Sequence, residues 1–213
     1  MNNKPSAKTL ELVQLALFAA IIIVMASVPF LGYIPLPFTR ATILHVPVII
    51  GCLMFGPKKG AILGALFGLT SLVQATFNPN LTSFAFSPFY SLGDVHGNFW
   101  SLVICFVPRI LVGIVPYYVY QLFRKLFQKI KGGQTFSLIL AGLAGSLVNT
   151  LLVMNFIYLF FGKEYAAAKE ITTNLYGVIL GVIVANGIPE AIVAAILTTA
   201  ICKALFRIRK MEH

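Results

Sequence analysis

The sequence predicts an all-α membrane protein of six transmembrane helices with both termini in the cytoplasm, and three observations carry that prediction. First, 59% of the 213 residues are apolar, against only 16 basic and 6 acidic side chains. A soluble domain holds about 45–50% apolar and about 25% charged residues. Second, at roughly 20 apolar residues per span the chain can form about six helices, with nothing left for a soluble domain. Residues 1–213 are therefore read as one membrane domain. Third, the basic residues behind the net charge of +10 fall in short clusters between apolar runs. They act as topology signals and do not form a nucleic-acid surface.

Each element follows from the punctuation of the chain. Span one runs from about Leu10 to Leu31, behind Asn2, Asn3, Lys4 and Lys8. It is longer than the roughly 7–15-residue core of a signal peptide, and it leads into Pro29-Phe30-Leu31-Gly32 where a cleavage site would hold small residues. Gly32 to Thr42 contains Pro35, Pro37 and Arg40, so a loop or re-entrant segment is expected there. Span two, about Ile43 to Phe55, is short and stops at Gly56-Pro57-Lys58-Lys59-Gly60. Span three, Ala61 to about Phe77, carries Gly64 and Gly68, which permit close helix contact. Asn78 to Asn98 is a long polar and aromatic connection of the kind that forms lids and binding loops. Span four is expected from Phe99 to Phe123, span five from Phe136 to Phe161, a mixed-charge loop from Gly162 to Asn174, and span six from Tyr176 to Leu205.

Lys and Arg set the orientation, because cytoplasmic loops hold the excess. Lys4, Lys8, Lys58, Lys59, Arg124, Lys125, Lys129, Lys131, Lys203, Arg207, Arg209 and Lys210 fall on one side, and Arg40, Lys163 and Lys169 on the other. Cys52, Cys105 and Cys202 are isolated in apolar stretches and read as buried free thiols.

Ionisable groups inside a span are costly and need a reason. Arg109 follows Pro108 in span four and Glu190 follows Pro189 in span six, so both stand beside prolines that free a backbone carbonyl. Two readings stay open: a structural Arg109–Glu190 ion pair, or a hydrated pocket in which Arg109 meets a substrate carboxylate. Asn186 shares a helical face with Glu190. Asn149 in span five, the Asn155/Tyr158 pair nearer the outer end, and Gln74 in span three read either as interhelical glue or as members of the same polar cavity, and their number at similar depth favours the cavity. Arg40 and His45 flank the outer start of span two. Phe86, Tyr90 and Trp100, with other rings of the external loop, form either an interfacial belt or a closing lid. Asp94 and His96 are too few ligands for a metal site. With no acid cluster, no His-Glu-x-x-His and no phosphate-binding Gly-x-x-x-x-Gly-Lys-Ser/Thr, neither an enzyme nor a self-contained ATPase is expected, and no cofactor or metal.

The combined pattern resembles the substrate-binding S component of energy-coupling factor (ECF) vitamin transporters. The resemblance rests on Ala16-Leu17-Phe18-Ala19-Ala20, Phe55-Gly56-Pro57-Lys58-Lys59-Gly60, Pro108-Arg109-Ile110-Leu111-Val112-Gly113, Gly145-Ser146-Leu147-Val148-Asn149-Thr150 and Asn186-Gly187-Ile188-Pro189-Glu190-Ala191. It implies capture of a vitamin outside the bacterial plasma membrane. It also implies docking through Ala16 and Ala20 onto a transmembrane coupling subunit, with two cytosolic ATPase subunits driving release. Phe30 to Pro35, His45 to Gly51 and Gly68 to Ala75 look most like members assigned to pantothenate, whose carboxylate would meet Arg109 or Arg40. Riboflavin, folate and hydroxymethylpyrimidine are the alternative ligands, and a proton-coupled carrier using Glu190 or a ligand-free structural subunit the alternative classes.

Overall fold

The computed structural model describes residues 6–28, 32–35, 40–172 and 174–211. Lys4, Pro29 to Leu31 and Pro37 lie outside the described residues, as do the side chains of Arg40, Arg209 and Lys210.

Helix α1 (Ala7–Ser27) starts at Ser6, whose Oγ accepts the Thr9 N–H at 3.2 Å. It is peripheral: Ile22 and Ala26 are buried, whereas Leu12, Val13, Leu17 and Val24 face outward. Phe18 meets the Phe55 ring edge-on at 5.6 Å, and Lys59 pairs with Glu11 near the helix start. Two short antiparallel strands follow, β1 (Tyr33–Pro35) and β2 (Arg40–Thr42), with Tyr33 opposite Thr42. The described ends of the proline-interrupted segment thus pair as an antiparallel ribbon.

Helix α2 (His45–Phe55) has 11 residues and is buried from His45 to Leu53. At 1.5 Å per residue it rises about 16 Å, roughly half of a 30 Å hydrocarbon core. Gly56, at φ +88°, turns the chain into α3 (Pro57–Phe77), where Pro57 occupies a first-turn position that needs no N–H donor. Between α3 and α4, a 3-10 turn (Ser83–Ala85) and a small hairpin of β3 (Ser91–Leu92) and β4 (Val95–His96) form a packed cap, with Phe84 and Ala85 fully buried.

The expected fourth span is two helices, α4 (Phe99–Val112) and α5 (Val115–Leu126). Pro116 has no N–H to give the carbonyl of Val112, so the ladder stops there. Helix α6 (Gly133–Ala168) kinks at Phe161 (φ −134°, ψ 24°), where span five was expected to end, and resumes as helix through the first part of the expected loop, Gly162 to Ala168. Tyr165-Ala166-Ala167-Ala168 supplies strong helix formers, and the charges of Lys163 and Glu164 do not interrupt a helix. The last span is α7 (Leu175–Val182), a π turn (Ile183–Gly187) and α8 (Ile188–Met211). Among the described residues five helical segments are long and apolar enough to cross a membrane, with α2 as a sixth, shorter one. The all-α membrane architecture is therefore as expected.

Helix α2 packs against α1, α3, α5, α6 and α8, around Ile49, Phe67, Leu138 and Ala194. A second apolar cluster joins the cap to α4, α6 and α7 through Phe84, Ile104, Phe161 and Ile179. Helices α3 and α4 touch backbone to backbone. A Cβ on Gly64 would overlap the carbonyl of Arg109, and Gly60 and Gly113 face each other in the same way. Cys52, Cys105 and Cys202 are buried free thiols.

This contact makes a direct prediction. Gly64→Ala forces α3 off α4 and is expected to cost about 1–3 kcal/mol, seen as a lower thermal midpoint in detergent. Gly181→Ala, where a Cβ meets nothing within 4 Å, is expected to be neutral or slightly stabilising through helix propensity. Equal midpoints for the two variants would show that the helices have room to separate.

Candidate functional site

One cavity collects most of the polar groups buried in the bundle. Its walls include Thr42 from β2, Ser71, Gln74 and Ala75 from α3, Asn80, Thr82, Ser83 and Phe86 from the cap, and Arg109 from α4. Asn149, Thr150, Val153, Met154, Ile157 and Tyr165 come from α6, Val182 from α7, Asn186 from the π turn and Glu190 from α8.

Arg109 is held from several sides. Pro108 lacks the N–H that would bond the carbonyl of Ile104, and Arg109 Nη1 donates to that freed carbonyl at 2.8 Å. Phe67 and Phe86 lie 5.5 and 5.1 Å from the guanidinium carbon, within cation–π range. The residue is 6% exposed, so a fixed positive charge faces the cavity with its orientation set by backbone and rings.

Glu190 is anchored differently. Its Oε1 accepts the Thr42 N–H at 2.7 Å and its Oε2 accepts the Thr150 hydroxyl at 3.1 Å. Among the described residues the carboxylate therefore bonds to β2 and α6, and the structural ion pair with Arg109 is not formed. Both charges instead border one space. Pro189 stands where α8 begins, and the π turn Ile183–Gly187 directly before it carries Asn186 into the wall. Such bulges absorb a missing helical hydrogen bond and recur at functional positions.

Asn149 is 5% exposed and its Oδ1 has no hydrogen-bond partner among the described residues. A buried amide oxygen without a donor is costly, so this atom fits a ligand N–H or O–H. Gln74 lines the cavity with its Oε1 accepting from Asn78 Nδ2 at 2.9 Å. In the cap, Asn80 Oδ1 accepts the Thr82 N–H, the Thr82 hydroxyl and the Ser83 hydroxyl at 3.0–3.1 Å, which fixes the roof.

Of the residues expected at one polar site, the structure brings together Arg109, Asn149, Asn186, Glu190, Gln74 and Phe86. Others lie elsewhere. Asn155 and Tyr158 are displaced by about 240° and 180° around the helix from Asn149 at 100° per residue, and they meet Tyr176 on another face. His45 is buried in the first turn of α2, three residues beyond the Thr42 that reaches the cavity. Trp100 stacks on Phe160 at 4.0 Å and joins α4 to α6. Tyr90 packs in the second apolar cluster. Asp94 and His96 sit exposed in the β3–β4 hairpin, where His96 Nδ1 bonds Ser91 Oγ. Sequence reasoning missed Thr42, Asn80, Thr82, Ser83, Thr150 and Tyr165 in the wall. Val153, four residues after Asn149, carried a helical signal; nothing local marked Thr42 or Thr150. Ala16 and Ala20 are exposed on α1, away from the cavity.

Residues 10–202 match the family model described as ECF transporter, substrate-specific component. The chain belongs to that family. This S component is a multi-pass protein of the bacterial cell membrane. It is 42% identical over 209 residues to the "Pantothenic acid transporter PanT" of Lactococcus lactis subsp. cremoris (strain MG1363), covering 95% of this chain and 97% of the relative. It is 32% identical to the "Pantothenate transporter PanT" of Leuconostoc mesenteroides subsp. mesenteroides, over 93% of each chain. The S component family is one of transport subunits, which agrees with the expectation of a transporter made without enzyme motifs.

The Glu190 anchor can be tested without any ligand. Amide hydrogen exchange at Thr42 is expected to be slow in the wild type and in Glu190→Gln, which keeps an acceptor. It is expected to be about tenfold or more faster in Glu190→Leu, given the strength of hydrogen bonds to charged acceptors. Identical exchange in all three would mean that the carboxylate does not hold the ribbon.

Proposed function

We propose that this S component binds pantothenate outside the cell and delivers it to an ECF coupling module for uptake. The observation that carries the reading is the makeup of this cavity: a positioned guanidinium, buried amides and a carboxylate around an apolar wall of Val153, Met154 and Ile157. Pantothenate offers a matching set: one carboxylate, an amide, two hydroxyls and a gem-dimethyl group. Arg109 takes the carboxylate in the manner guanidinium favours. Asn149, Asn186, Gln74 and Glu190 take the amide and hydroxyls, and the branched apolar centre rests on the α6 wall. Both relatives are named as transporters of this vitamin, which supports the same ligand.

The chain acts as one membrane domain with both termini in the cytoplasm, so the cavity mouth opens outward. Docking to the transmembrane coupling subunit uses α1, where Ala16 and Ala20 lie one turn apart and let a partner helix approach closely. Two cytosolic ATPase subunits supply the energy, and no nucleotide is hydrolysed on this chain.

Purified protein in detergent is expected to bind labelled pantothenate saturably, with displacement by excess pantothenate but not by riboflavin, folate or thiamine. Displacement by one of these others would replace the ligand, and uptake by this chain alone that collapses with the proton gradient would replace the mechanism. Arg109→Ala is expected to weaken binding by about 100-fold or more, as for loss of one partner of a buried charge pair, while the protein stays monodisperse. Tight binding by that variant would remove Arg109 from the site. Joint Ala16→Leu and Ala20→Leu substitution is expected to spare binding and block assembly with the coupling subunit; a complex that still forms would place the interface elsewhere.

A further inference from the structure

The residue with the least explanation in the cavity wall is Tyr165. Asn149, Val153, Ile157, Phe161 and Tyr165 follow each other at four-residue spacing along α6. On an unbroken helix each such step turns the side chain by about 40°, so Tyr165 would point about 160° away from Asn149. The break at Phe161 removes that drift, and Asn149 and Tyr165 line the same cavity. Read along α6, the wall is polar at Asn149, apolar at Val153 and Ile157, and polar again at Tyr165.

Tyr165 is 5% exposed and packed among Phe84, Phe161 and Ile179. Its hydroxyl makes no hydrogen bond with any of the described residues. An aromatic ring is sufficient for that packing, and phenylalanine would supply it; the hydroxyl is reachable from the cavity, which Tyr165 lines. The chain uses phenylalanine 18 times, so the oxygen at this position calls for a partner from the cavity.

We propose that Tyr165 is a specificity-determining residue that hydrogen-bonds the terminal hydroxyl of the ligand, in the same cavity where Arg109 takes the carboxylate. This rests on the pantothenate reading above. The site then reads two groups of the ligand: the cation in the last turn of α4 selects the carboxylate, and the phenol beyond the α6 break selects a hydroxyl. A ligand with the carboxylate alone fills half of the recognition. A site built to bond a hydroxyl discriminates against analogues that lack it, because the protein group is then left buried and unpaired.

The test is a two-by-two binding experiment with wild type and Tyr165→Phe, each against pantothenate and an analogue lacking only the primary hydroxyl. Tyr165→Phe keeps the ring and its packing. It is expected to bind pantothenate about 3- to 15-fold more weakly than wild type, the range for one hydrogen bond, and the analogue as well as wild type does. Equal pantothenate affinity in the two proteins overturns the assignment, and so does an equal loss for both ligands, which would mark a packing role. If wild type binds pantothenate at no concentration, the ligand reading itself falls and the hydroxyl assignment falls with it. If wild type binds and the substitution is silent, only Tyr165 is removed.

Discussion

The structure depends on how two ionisable groups are kept inside an apolar bundle. A guanidinium and a carboxylate at membrane depth are costly unless bonded or hydrated, and the simplest solution is to pair them. This protein does not. Glu190 is bonded to the Thr42 amide and the Thr150 hydroxyl, and Arg109 to the Ile104 carbonyl between two rings. Anchoring each charge to a different part of the fold leaves space between them, and that space is the cavity. A closed ion pair would have filled it.

The irregular backbone follows from the same constraint. Non-helical backbone at membrane depth is tolerated only where it is buried in protein or lines a polar space. Three interruptions obey this rule. Pro108 releases the carbonyl that orients Arg109, the π turn before Pro189 carries Asn186, and the break at Phe161 carries Tyr165 to the wall. Each of these places has a polar side chain in the cavity wall. The glycine contacts of α3 serve the same end, because the backbone approach of Gly64 to Arg109 fixes how far α4 stands from α3.

Two surfaces of the molecule are distinct. The cavity sits inside, with walls from α3, α4, α6, α8 and the cap, whereas α1 is not among its lining elements and presents an apolar outer face. The proposed roles, ligand capture in the cavity and docking through α1, fall on these separate surfaces.

The sequence by itself determined the class of the molecule and its membrane-embedded chemistry. Apolar content, span lengths and basic clusters act through composition, so they are legible without contacts. Arg109, Asn149, Asn186 and Glu190 stood out because a polar residue in a long apolar run is conspicuous wherever the run goes. Helix boundaries were less legible: Pro116 split a span that composition read as one, and Ala166 to Ala168 carried α6 through a charged stretch that composition read as a loop. Only the tertiary structure decided which polar residues share a space. Asn155 and Tyr158 carry the same chemistry as Asn149, but helical phase turns them to another face. Thr42, Asn80 and Tyr165 look ordinary in the sequence, and they enter the site through a ribbon, a cap and a helix break. Whether Arg109 and Glu190 would close on each other or border a cavity was likewise beyond the sequence, because their anchors, Ile104, Thr42 and Thr150, are brought to them by the backbone path of the folded chain.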